Sequence, residues 1–142
     1  MNKDVLVRTA RAMVASGKGI LAADESAGTI AKRFAAIGVD STQVTRRDYR
    51  QFLFRAEEAM NRYISGVILF DETIRQTAGD GTPLVKLIEA AGAIPGIKVD
   101  LGAKPLANFP GETITEGLDG LLERLNDYRH LVPGITVPRN TV

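Results

Sequence analysis

Three short apolar runs, each closed by acidic residues, constrain this chain more than any other feature. Ile20-Leu21-Ala22-Ala23 meets Asp24-Glu25, and Val67-Ile68-Leu69-Phe70 meets Asp71-Glu72. The third run, Ile94-Pro95-Gly96-Ile97-Lys98-Val99, ends at Asp100. Continuous apolar runs of this length suit strands buried on both faces. Between them, apolar residues recur at offsets of three and four, the spacing of an amphipathic helix. Strand and helix in alternation argue for an α/β fold with a parallel sheet. Right-handed crossovers then bring all strand ends to one face. That face is expected to collect Asp24, Glu25, Asp71, Glu72, Lys98 and Asp100.

The helices can be placed by their stripes. Residues 3–15 carry Val5, Leu6, Thr9, Ala12 and Met13 on one face, and Ser16-Gly17 stops them. A short helix from about Thr29 turns Ile30, Phe34 and Ile37 inward and closes at Gly38. A longer one is predicted over 46–60, with Tyr49, Phe52, Leu53, Ala56 and Met60 as its stripe. Pro83 opens another, lined by Leu84, Leu87, Ile88 and Ala91. Residues 102–117 are rich in Gly, Pro and Thr without a period, and read as a long loop of the functional or mobile kind. Leu118, Leu121, Leu122 and Leu125 predict a last helix to about Arg129. The remainder, 130–142, has two prolines and no stripe, so a body over 1–129 and an unstructured tail are expected.

Composition excludes several functions. The chain of 142 residues carries 18 basic and 17 acidic side chains, a formal net charge of +1. Such a balance gives no reason to expect nucleic acid or an acidic membrane as partner. There is no cysteine, which removes disulfides and thiolate chemistry. One histidine, His130, cannot build a His-rich metal site and reads as solvent-exposed. No stretch approaches the roughly 20 apolar residues of a membrane span. A soluble, cytoplasmic protein is the expectation.

Each candidate for chemistry also has a plainer role. Asp24 closes a buried strand, where burial and neighbouring charge perturb a carboxyl, or it caps the following helix. Glu25 reads as a structural or peripheral partner. Lys32 and Arg33 are either solvated helix surface or a phosphate clamp, Arg as a fork and Lys as a point charge. Lys98 alternates away from Ile97 and Val99, so strand geometry turns it to the opposite face. It is either part of a site or one half of a buried ion pair, with Asp24 the first candidate acid. Carboxylates nearby argue against a nucleophilic amine.

The same segments resemble class I fructose-bisphosphate aldolase. The resemblance rests on GKGILAADES with IAKR, then RRDYRQFLF, GVILFDET, GIKVD with PLA, and GETITEGLDGL followed by ERLNDYR. It implies the N-terminal portion of a (β/α)8 TIM barrel, about three parallel strands with their helices. The active site of that fold lies at the C-terminal strand ends. It also implies reversible cleavage of fructose 1,6-bisphosphate to glycerone phosphate and glyceraldehyde 3-phosphate through a lysine Schiff base, in glycolysis and gluconeogenesis. No metal or other cofactor is implied, and the family is commonly a homotetramer. By resemblance Asp24 is the catalytic aspartate and Lys98 a lysine supplying positive potential beside it. Thr29, standing where the family usually has Ser, together with Lys32 and Arg33, is placed in the phosphate region.

The family's Schiff-base lysine, its glutamate acid/base and a further lysine lie on later strands. The chain is therefore expected to be truncated and inactive alone, which leaves open whether it is itself an enzyme. A tail of frameshifted origin would fit the divergence over 130–142. The alternative is a non-catalytic fragment that binds phosphosugars or joins aldolase subunits.

Overall fold

The three apolar runs pair in chain order. The computed structural model describes residues 3–132 and 135. Helix α1 (Lys3–Met13) precedes β1 (Gly19–Ala23). Helices α2 (Ala27–Ala35), α3 (Gln43–Phe54) and α4 (Glu57–Tyr63) lead to β2 (Ile64–Leu69). Then α5 (Asp71–Ile74) and α6 (Leu84–Ala90) lead to β3 (Ile94–Ile97). The sheet has the order β1-β2-β3 and is parallel throughout, with Ala23 level with Leu69 and Leu69 level with Ile97. A hairpin of β4 (Gly102–Pro105) and β5 (Thr113–Glu116) follows, and then α7 (Leu121–Leu131).

The period of two along each strand separates the sheet's faces. Ala23, Val67, Leu69, Ile97 and Val99 are buried in one cluster with Phe54, Met60, Leu84 and Ile88 of the helices. Each large side chain so buried contributes roughly 1.5–3 kcal/mol. Ile20, Ala22 and Ile68 occupy the other face, where Ile20 stays exposed and Ile68 is half-buried. Helix α1 reaches only the start of this face. A Cβ on Gly66 would lie 3.1 Å from Met13 Cε, and Ser65 Oγ donates to Met13 O at 2.7 Å. No residue of α1 is buried, so the stripe expected there is unburied.

Local chemistry explains the helix ends. Ser26 caps α2 by accepting from Thr29 N at 3.3 Å. Thr42 and Thr45 cap α3 reciprocally, each side chain accepting from the other's backbone N–H. The single helix expected over 46–60 is two helices, broken at Arg55-Ala56, with acidic Glu57 and Glu58 opening the second. Within α3 the buried stripe also differs from the expected one. Phe52 is 75% exposed while Phe54 is 2% exposed, and Arg50 lies inside one turn before it. Ile37, Leu118 and Leu122, all expected inward, are exposed.

Two further expectations change. The second apolar run stops as a strand at Leu69, and Asp71 and Glu72 instead open α5. Residues 102–117 contain the β4–β5 hairpin, which is exposed along most of both strands and so lacks an apolar alternation to betray it. Helix α7 extends past Arg129 to Leu131 and exposes His130. The tail expected over 130–142 otherwise lies largely outside the described residues.

The hairpin is held at Asp100. Leu101 N donates to Glu116 O at 2.8 Å, and Gly117 adopts φ 143° directly against the Asp100 backbone. A Cβ there would stand 2.9 Å from Asp100 Cα and 3.0 Å from Val99 O, backbone that cannot swing aside. Gly117→Ala is therefore expected to destabilise the chain by about 1–3 kcal/mol. Urea unfolding measures it, and a change within about 0.5 kcal/mol contradicts the packing.

Helix α7 docks through Tyr128. Its hydroxyl hydrogen-bonds Asp71, whose carboxylate also accepts from Arg75 Nη2 at 2.9 Å, and Arg75 lies over the Tyr128 ring. Burial first, then the charge and hydrogen bond of Asp71, push the Tyr128 phenol from its ordinary 10.0 up to about 12. In that interval the unfolded chain releases the proton while the folded chain keeps it, so stability falls as pH rises. The full loss is about 2–3 kcal/mol. Melts of the unsubstituted chain and Tyr128→Phe from pH 9 to 12 should show the substitution flattening the decline; parallel curves contradict the assignment.

Candidate active site

The row after the apolar register holds the candidate groups. Ala23, Leu69 and Ile97 are level, so the next residues, Asp24, Phe70 and Lys98, share a layer turned away from the helices. Lys98 N continues the ladder by donating to Leu69 O at 2.9 Å. All three line a cleft of ≈ 580 Å³ at the C-terminal ends of the strands. Glu25, Ser26 and Thr29 line it from the turn into α2, and Asp100, Leu101 and Gly102 from the approach to the hairpin.

Lys98 is held firmly. Its Nζ pairs with Asp100 Oδ2, while Asp100 Oδ1 accepts from Gly102 N at 3.0 Å. The acid expected for this pair, Asp24, is replaced by Asp100, because residues two apart on an extended chain lie on the same side. Paired in this way, Lys98 acts as a fixed point charge. Asp24 does not cap α2, since Ser26 does, and no hydrogen bond or ion pair within the described residues engages its carboxylate. It stands half-buried and facing the cleft.

Glu25 is anchored instead. Its Oε1 accepts from Arg33 Nη1 and its Oε2 from Arg50 Nη1. Burial pushes this carboxyl up, but the Arg50 hydrogen bond, the backbone bond and the charges of Arg50 and Arg33 together outweigh burial and leave it below the usual carboxylate range. The expectation of a structural partner describes it well.

The expected convergence is partial. Asp24, Glu25, Lys98 and Asp100 meet in the cleft, with Thr29 beside them and its Oγ1 3.1 Å from Ser26 Oγ. Asp71 and Glu72 do not join them. Helix α5 carries Asp71 to Arg75 and Glu72 to a bidentate pair with Arg46 at 2.8 and 2.6 Å. Lys32 and Arg33, in the last turn of α2, do not line the cleft, and both are exposed. Phe70 and Ser26 were not singled out from sequence. Alternation along the second run, which sets Ile68 and Phe70 opposite Val67 and Leu69, would have found the first, and the Ser-x-x-Thr cap the second. Among the described residues no three of His, Asp and Glu gather as metal ligands, and no helix is long and apolar enough to cross a membrane.

Comparison with known proteins shows the family and the fold. The family model "Fructose-bisphosphate aldolase class-I" matches residues 5–135. The chain is 56% identical over 128 residues to a probable fructose-bisphosphate aldolase class 1 of Xanthomonas campestris, covering 90% of this chain and 38% of that one. It is 57% identical over 120 residues to fructose-bisphosphate aldolase C of Carassius auratus, covering 84% and 33%. Among solved structures it matches the Plasmodium falciparum aldolase, crystallised with TRAP and a small-molecule inhibitor. That match has a TM-score of 0.86 and 44% identity, over 92% of this chain and 38% of that one. The chain thus spans little more than a third of the length of such relatives, and its sheet corresponds to part of their TIM barrel. On the family match, the identities and the shared fold, the chain belongs to the class I fructose-bisphosphate aldolase family.

Proposed function

We propose that the cleft binds a phosphorylated ketose and that this chain provides the Asp24–Lys98 side of a class I aldolase site. The substrate on this reading is fructose 1,6-bisphosphate, cleaved reversibly to glycerone phosphate and glyceraldehyde 3-phosphate. The single observation that supports it is the Asp24–Phe70–Lys98 layer, an unengaged carboxylate and a fixed cation on one wall of the same cleft.

The roles follow from charge and reach. Asp24 takes the proton from the ketose hydroxyl as the carbon–carbon bond breaks, and returns it in condensation. Lys98, fixed by Asp100, stabilises negative charge on substrate oxygen without itself moving. Phe70 gives the carbon skeleton an apolar wall. The Ser26 and Thr29 hydroxyls donate to a phosphate at the start of α2, whose free N–H groups favour an anion. Lys32 and Arg33 add positive potential from the rim. The electron sink of the reaction is a Schiff base on a lysine, a role assigned to no residue of this chain. The same reading carries the family's cytoplasmic location, homotetrameric assembly and lack of nucleic-acid partners.

Titration of the 142-residue chain with fructose 1,6-bisphosphate, followed by amide chemical shifts, is expected to move Thr29, Lys98 and Gly102. Lys98→Met should weaken binding about tenfold, ~1.4 kcal/mol, with Lys98→Arg recovering most of it. Unchanged affinity in Lys98→Met, with its fold verified by melting, contradicts the role. Borohydride reduction with substrate present should leave Lys98 unmodified; a stoichiometric adduct there makes it the nucleophile instead.

A further inference from the structure

Glu25 is shared unequally between two guanidinium groups, and the inequality has a direction. The Arg50 side chain is 3% exposed, and that of Arg33 is 57% exposed. Arg50 makes a second bond to the same residue, Nη2 donating to Glu25 O at 3.0 Å, and its guanidinium lies 5.5 Å from the Tyr49 ring centroid. Tyr49 in turn meets Phe34 edge-on at 5.8 Å, tying the anchor to the turn of α2 that carries Arg33. Arg33 has one bond to Glu25 and a side chain largely in water. When the cluster opens, Arg33 is the member that can leave.

We propose that Glu25 and Arg50 are positioning residues that hold Arg33 at the rim of the cleft and release it to a phosphate group entering there. The inference rests on the phosphosugar reading and adds the device that controls its cation. Glu25 lines the cleft beside the unengaged Asp24, so leaving it without a counter-cation would add to the repulsion of a dianion. Arg50 stays on Oε2 after Arg33 departs, so no buried carboxylate is left without a partner. One carboxylate with two cations leaves a net +1 cluster, which offsets the unengaged charge of Asp24 in the same cleft.

Inorganic phosphate is the probe. Titrated into the full chain, it is expected to shift the guanidinium nitrogen signals of Arg33 while those of Arg50 stay fixed. Glu25→Gln removes the competitor for Arg33 and should tighten phosphate binding about fivefold, the scale of one exchanged charge-assisted bond. Arg50→Met makes Glu25 depend on Arg33 and should weaken binding by a similar factor. The double substitution should return it to the unsubstituted value or tighter. A merely structural role predicts instead that both single changes weaken binding and the double weakens it most; that result overturns the proposal. Equal shifts at Arg33 and Arg50 overturn it even if a variant fails to fold. Phosphate binding unchanged by Glu25→Gln defeats the device alone, whereas no phosphate binding by the unsubstituted chain defeats the phosphosugar reading and the device together.

Discussion

The register of three parallel strands is the constraint on which the rest depends. Ala23, Leu69 and Ile97 are level and buried against the helices, and burying that row fixes which residues come next. A slip of one residue would exchange the two faces of a strand, burying Asp24 or Lys98 among Leu84, Ile88 and Met60. Hydrophobic packing on one face thus sets the chemistry on the other. The site's polar layer is a consequence of the core.

Charge is then distributed by how firmly each group is held. Asp100 fixes the Lys98 ammonium in the cleft wall, and Gly117 brings the hairpin onto the Asp100 backbone beside them. Arg46 with Glu72, and Arg75 with Asp71 and Asp127, bind helices to one another away from the cleft. Arg50 is buried because Glu25 accepts it on two atoms, and Glu25 can remain ionised beside apolar neighbours because Arg50 and Arg33 both donate to it. Asp24 alone among the cleft's carboxylates is left unengaged. On the proposed reading of Asp24 as acid/base that freedom matters, since a carboxylate tied by two guanidiniums has little proton affinity to offer.

Much of this was legible in the residues. Apolar runs ending in acids located the strands, and their alternation with helical stripes implied the parallel order. Alternation about Ile97 and Val99 put Lys98 on the site side. What was not legible had physical causes. Asp71 and Glu72 look like strand-end acids, yet the helix beginning at Asp71 turns them away. The β4–β5 hairpin is largely solvated on both sides, so no apolar period marks it. Arg50 faces inward on a helix where a hydrophobic count assigns it to solvent, and the same helix buries Phe54 in place of Phe52.

The central claim is that the layer following the buried row is a phosphosugar site. A crystal structure of the 142-residue chain soaked with fructose 1,6-bisphosphate tests it most directly. The account predicts ligand density in the cleft, with a substrate oxygen on Lys98 Nζ, a hydroxyl facing Asp24 and a phosphate against Ser26 and Thr29. Density at another surface, or a cleft in which Asp24 and Lys98 face opposite sides of the sheet, would contradict it.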